Sequence, residues 1–124
     1  MIEIEVDNRS GVQIDSEGAC KLARRVLGAE GIAAGDLGLV FVGLDESREL
    51  KREHLGIDES TDALAFPIDA LDELPDGVPR QLGDVVVCPQ VVGAEWQAPL
   101  VHALLHLVGY DHGPEMEARE AIHR

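Results

Sequence analysis

Aromatic side chains are nearly absent from this chain, which has one Trp, one Tyr and two Phe in 124 residues. Without large rings to fill space, Val, Leu, Ile and Ala must build the core, and they suffice because apolar residues make up 45% of the chain. Basic residues are scarce as well. Ten Lys and Arg stand against 24 Asp and Glu, giving a net charge of −14. That excludes nonspecific nucleic-acid binding driven by bulk positive charge and leaves open only a local basic groove. The two cysteines, Cys20 and Cys88, are far apart without CxxC spacing and read as reduced, buried, small apolar residues. No apolar run reaches the ~18 residues of a membrane span. The opening "MIEIEVDNRSG" has neither a basic nor an apolar secretory region. The expectation is a cytoplasmic protein with no membrane partner.

What is present organises into one domain over residues 1–124. Residues 2–6 alternate apolar and acidic, the period of a half-buried strand. After Asp15 or Ser16 as N-cap, Ala19, Leu22, Ala23, Val26 and Leu27 form one stripe of an amphipathic helix closed near Gly28 or Gly31. The apolar run 36–45 predicts a central strand, and Asp45 or Ser47 caps a short charged helix ending at Gly56. Residues 62–67 and 82–89 read as strands stopped by proline, with an acidic Pro- and Gly-bearing loop over 68–81 between them. Residues 99–108 have helical spacing but are apolar nearly all round, so that helix should be buried. Pro114 opens a last short helix. The order βαβαββαα predicts an α+β fold, a small mixed sheet of about four strands packed against helices. Two basic trios, Lys21, Arg24 and Arg25, and Arg48, Lys51 and Arg52, would each share a helix face.

The buried helix carries "HALLHLVGYDH". His102 and His106 are four apart, so on a helix they project from one face with Cβ atoms about 5–6 Å apart. Two imidazoles so placed can converge on one ion. Gly109 tolerates the backbone needed to turn the chain back, and His112 then completes a set of three. The pattern HxxxHxxGxxH repeats the ligand spacing of the metzincin zinc proteases. Three neutral nitrogens favour zinc over magnesium or calcium. Three protein ligands leave a coordination position for water, whose pKa zinc lowers to about 7, the arrangement of a hydrolytic site. The position that carries the general-base glutamate in HExxH proteases is Ala103, which moves no proton. Phosphodiester cleavage of RNA needs that group less, because RNA brings its own 2′-OH nucleophile.

"HALLHLVGYDHG" closely resembles the signature of the YbeY family, bacterial endoribonucleases of ribosomal RNA maturation and ribosome quality control. "STDALAFPID" (60–69) resembles that family's Thr-Asp-Val-Leu-Ser-Phe-Pro block, and "LGDVVVCPQVV" (82–92) its Leu-Gly-Asp strand. The resemblance implies one zinc held by His102, His106 and His112 in a cleft between sheet and buried helix, and cleavage of single-stranded RNA. Its implied partners are small-subunit ribosomal RNA precursors and ribosomal particles or proteins. Thr61, Asp62, Phe66, Pro67, Gly83, Asp84 and Asp111 match beyond the ligands and would shape the cleft or play turn and strand-end roles. An aspartate among them would orient a ligand histidine. Two departures stand out. Many members carry an arginine six residues before the threonine of the second block, where this chain has Leu55, and Arg52 or Arg48 is the candidate substitute for engaging phosphate. The link from Pro89 to His102 is also shorter than the family's usual one.

Two other functional classes fit some of these features. A ribosome-associated binding factor with a structural zinc fits the acidic surface and the missing arginine. A small metalloprotease fits the ligand spacing alone.

Overall fold

The computed structural model describes residues 2–55, 63–69, 72–110 and 113–123, with the side chains of 54 and 55 outside that set. Four strands form one sheet: β1 (Ile2–Asn8), β2 (Gly35–Phe41), β3 (Ala63–Pro67) and β4 (Gln81–Val87), in the order β1-β2-β4-β3. The first three in that order run parallel and β3 pairs antiparallel with β4, so the sheet is mixed, as expected. The helices are α1 (Ser16–Ala29), α2 (Leu44–Leu55), α3 (Pro89–Val92), α4 (Gln97–Leu107) and α5 (Pro114–His123), with a 3-10 turn at Gly93–Glu95.

Local chemistry explains most boundaries. The Asp15 carboxylate accepts from the Gly18 amide at 3.0 Å and caps α1. At the other end Gly31, at φ 91°, donates to Gly28 O while Ile32 donates to Leu27 O, the paired bonds of a Schellman stop. Pro89 begins α3 rather than merely stopping a strand, and Pro114 begins α5 as expected, since a first-turn proline gives up no helical hydrogen bond. The run 36–45 is divided differently from expectation. Its strand ends at Phe41, and α2 starts at Leu44, earlier than the predicted cap. Val42 still donates to Val87 O, and Gly43 O accepts the Ser47 amide, so the chain passes from ladder to helix within two residues.

One face of the sheet carries the main core. Ile4, Val6, Leu37, Leu39, Leu82, Val85 and Val87 meet α1 and α4 there. The central element is α4, which packs on β3, β4, α1 and α5. Its Leu100, Val101, Leu104, Leu105 and Leu107 are at most 2% exposed, so the helix that reads as apolar nearly all round is buried over most of its surface, with His102 and His106 half-buried. Its approach to the sheet depends on Gly83, at φ 133°. A Cβ there would stand 2.3 Å from the Phe66 carbonyl oxygen and 3.0 Å from Leu107 Cδ1. Gly83, Phe66 and Pro67 therefore act at a backbone approach between β3, β4 and α4.

The opposite face has a smaller cluster, Val42, Leu64 and Val86, with Val40, Leu50 and Phe66 against it. Beyond that cluster the face bears Glu3, Glu5, Asp36 and Asp84, which line a shared depression with Gly38 and Ile68.

Candidate metal centre

His102 and His106 lie on α4, half-buried, with ring centroids 4.7 Å apart and planes at 84°. Each ring has an identified acceptor at Nδ1. His102 Nδ1 donates to Glu120 Oε1 of α5 at 2.7 Å, and His106 Nδ1 donates to the Tyr110 carbonyl oxygen at 2.8 Å. Carboxylate and carbonyl oxygens accept only, so each Nδ1 carries a proton, and a neutral ring so protonated has its lone pair on Nε2. That is the tautomer a metal-ligating histidine uses when its other nitrogen is held by an outer partner.

The turn after α4 explains how Tyr110 reaches back. Gly109, at φ 106°, donates to His106 O, and Tyr110 donates to Leu105 O, a second Schellman stop. Among the described residues no atom would crowd a Cβ at Gly109, so the glycine is needed for its backbone angle. The motif returns the chain, and with it the Tyr110 carbonyl, onto the last turn of α4. His112 and Asp111 lie outside the described residues, as do Thr61 and Asp62. Among the described residues no group of three potential ligands gathers. The chemistry of the two described histidines, paired on one helix face with matched tautomers, fits zinc.

Several residues of the sequence reading fall elsewhere. Asp84 is on the sheet face opposite α4, in the acidic depression, away from both histidines, and the carboxylate at His102 is that of Glu120. Ala103 is 1% exposed within the main core, and the position a protease would give to its general base serves packing here. On α2, Arg48 and Arg52 are exposed whereas Lys51 is 9% exposed, so that trio divides between two faces. The other trio is taken up structurally: Lys21 pairs with Glu17, Arg24 Nε donates to Ile2 O, and Arg25 Nη2 donates to His123 O.

Sequence reasoning missed a buried cluster at the end of α1. Glu30, its C-cap, has a side chain only 5% exposed. Its carboxylate accepts from Tyr110 Oη at 2.8 Å, from Arg119 Nε at 2.8 Å and through Nη2, and from His123 Nε2 at 2.8 Å. Burial pushes this carboxyl up, but the hydrogen bonds from Arg119, His123 and Tyr110 outweigh it and hold Glu30 below the usual carboxylate range. The Tyr110 phenol is correspondingly raised, first by that same hydrogen bond. A negative charge at a helix C-terminus opposes the helix dipole, and the Arg119 guanidinium compensates it. One signal was available in sequence: Met116, Arg119, Glu120 and His123 recur at helical spacing, and all four turn inward.

The chain's relatives agree with this architecture. A protein of Salinispora tropica named Endoribonuclease YbeY is 34% identical over 139 residues, spanning 96% of this chain and 88% of its own. One of the same name from Nocardia farcinica is 32% identical over 136 residues, spanning 96% and 74%. The solution structure of TM1509 from Thermotoga maritima superposes with a TM-score of 0.58 at 25% identity, covering 99% of this chain and 86% of that one. The profile of the family described as Endoribonuclease YbeY matches residues 4–124, and the chain belongs to that family.

Proposed function

We propose that this protein is a zinc-dependent endoribonuclease specific for single-stranded RNA, acting in small-subunit ribosomal RNA maturation and ribosome quality control, with ribosomal particles or proteins as partners. Membership of the family supports the endoribonuclease reading. The observation that carries the metal reading is the pair of imidazoles on α4 with both Nδ1 atoms given to acceptors. His102, His106 and His112 would hold the ion. When bound, zinc supplies Lewis-acid stabilisation of charge developing on a phosphoryl oxygen. Ala103 offers no proton acceptor, so the 2′-OH of the RNA is the expected nucleophile. Arg52, exposed on α2, is the candidate phosphate contact in place of the family arginine.

Purified protein loaded with zinc should cut a single-stranded RNA, and chelation, His102→Ala or His106→Ala should each abolish cutting and zinc retention. Equal residual cleavage in all four samples would refute the reading. Arg52→Ala should weaken RNA binding uniformly across sequences and reduce the slope of log affinity against log salt by about one contact. The competing reading, a binding factor with structural zinc, predicts that chelation melts the fold. The apolar packing of α4 through Leu100, Val101, Leu104, Leu105 and Leu107 favours an unfolding midpoint that chelator hardly moves beyond the mass-action term.

A further inference from the structure

Glu120 occupies a costly place. On α5 it belongs to the inward stripe with Met116, Arg119 and His123, whereas its neighbours Glu115 and Glu117 are exposed. Its side chain is 17% exposed and its Oε1 is 2.7 Å from His102 Nδ1. A carboxylate on the buried side of a short helix is unfavourable unless partners repay its desolvation, and one partner here is the His102 imidazole. The helix that delivers it is pinned independently. Arg119 and His123, one residue before Glu120 and three after, close on Glu30, and Arg25 binds the His123 carbonyl.

We infer that Glu120 is the positioning residue of His102, setting its Nδ1–H tautomer and ring orientation, and that the Glu30 cluster is the anchor that carries Glu120 to it. The consequence for zinc affinity rests on the metal reading above, whereas the tautomer does not. The two histidines are then held by different means. His106 is oriented by a local turn whose acceptor is a backbone carbonyl, and His102 by a side chain 18 positions away on another helix. Only the second can be removed by a single substitution.

The test uses the full chain and the variants Glu120→Ala, Glu120→Gln and Glu120→Asp. Long-range proton–nitrogen correlation spectra at mildly alkaline pH, where imidazoles are neutral, report both tautomers in the metal-free protein. Wild type should show Nδ1–H for both rings. Glu120→Ala should shift His102 toward the Nε2–H form while leaving His106 unchanged, and Glu120→Gln, whose amide oxygen still accepts, should restore much of the wild-type population. Competition with a chromophoric chelator should show zinc affinity reduced roughly 10–100-fold in Glu120→Ala, with Glu120→Gln between it and wild type. A purely structural Glu120 would lower the unfolding midpoint of Glu120→Ala without moving the His102 tautomer, and that result overturns the inference. If wild type retains no zinc, the metal reading fails, and the tautomer spectra alone decide whether Glu120 positions His102.

Discussion

Glu30 and Glu120 both accept hydrogen bonds from histidine, and both tie α5 to the rest of the molecule, yet their surroundings differ. Glu30 is enclosed at the end of α1 and meets a guanidinium, a phenol and an imidazole at once. Glu120 is more exposed and reaches the half-buried ring of His102. A buried carboxylate with a partly buried guanidinium partner is costly to disturb, because removing one group strands the other. A carboxylate against a neutral imidazole adds little to folding but fixes which ring nitrogen bears the lone pair. The same helix is thus held for stability at one point and used to orient a functional group at the next.

The largest expected effect separates these roles. Glu30→Ala should cost about 3 kcal/mol, the lower range for breaking a buried pair, read as a lower midpoint in chemical denaturation at unchanged slope; a loss no larger than that of Glu120→Ala would break the contrast. The pH dependence should be smaller. Glu30 is depressed when folded, so its contribution is complete above the unfolded carboxyl value of about 4.3 and is lost as pH falls from there through the folded value. Acid titration of stability should show this component in wild type and not in Glu30→Gln. The smallest effect sharpens the contrast from within α5: Glu117→Gln, on the exposed face, should leave midpoint, tautomers and zinc affinity unchanged.

Much of the fold was legible because it is built from local rules. The alternation in 2–6, the stripe of α1 and its Asp15 cap all reappear. So does the turn at Gly109, because a Schellman stop involves only a few consecutive residues. Boundaries failed where a run could serve two elements: Val42 remains buried and ladder-bonded although the strand has ended. The second basic trio failed for another reason. Helical spacing places Arg48, Lys51 and Arg52 together, but Lys51 lies against the buried side of α2 while the arginines point out. Of the aspartates suggested for orienting a histidine, Asp84 faces the other side of the sheet and Asp62 and Asp111 lie outside the described residues, while the carboxylate at His102 belongs to a glutamate that no motif marked.

The sequence by itself determined the order and type of the main strands and helices, that α4 is largely buried, and that His102 and His106 share one face, since each follows from the period of a few neighbouring side chains. Only the tertiary structure decided that Asp84 faces away from that site, that Ala103 packs into the core, and that Glu30 meets Arg119 across 89 positions. Periodicity tells which side of an element is buried. It does not tell which polar group from another element will be waiting there, and a buried charge survives only where that second group has been brought within hydrogen-bonding distance.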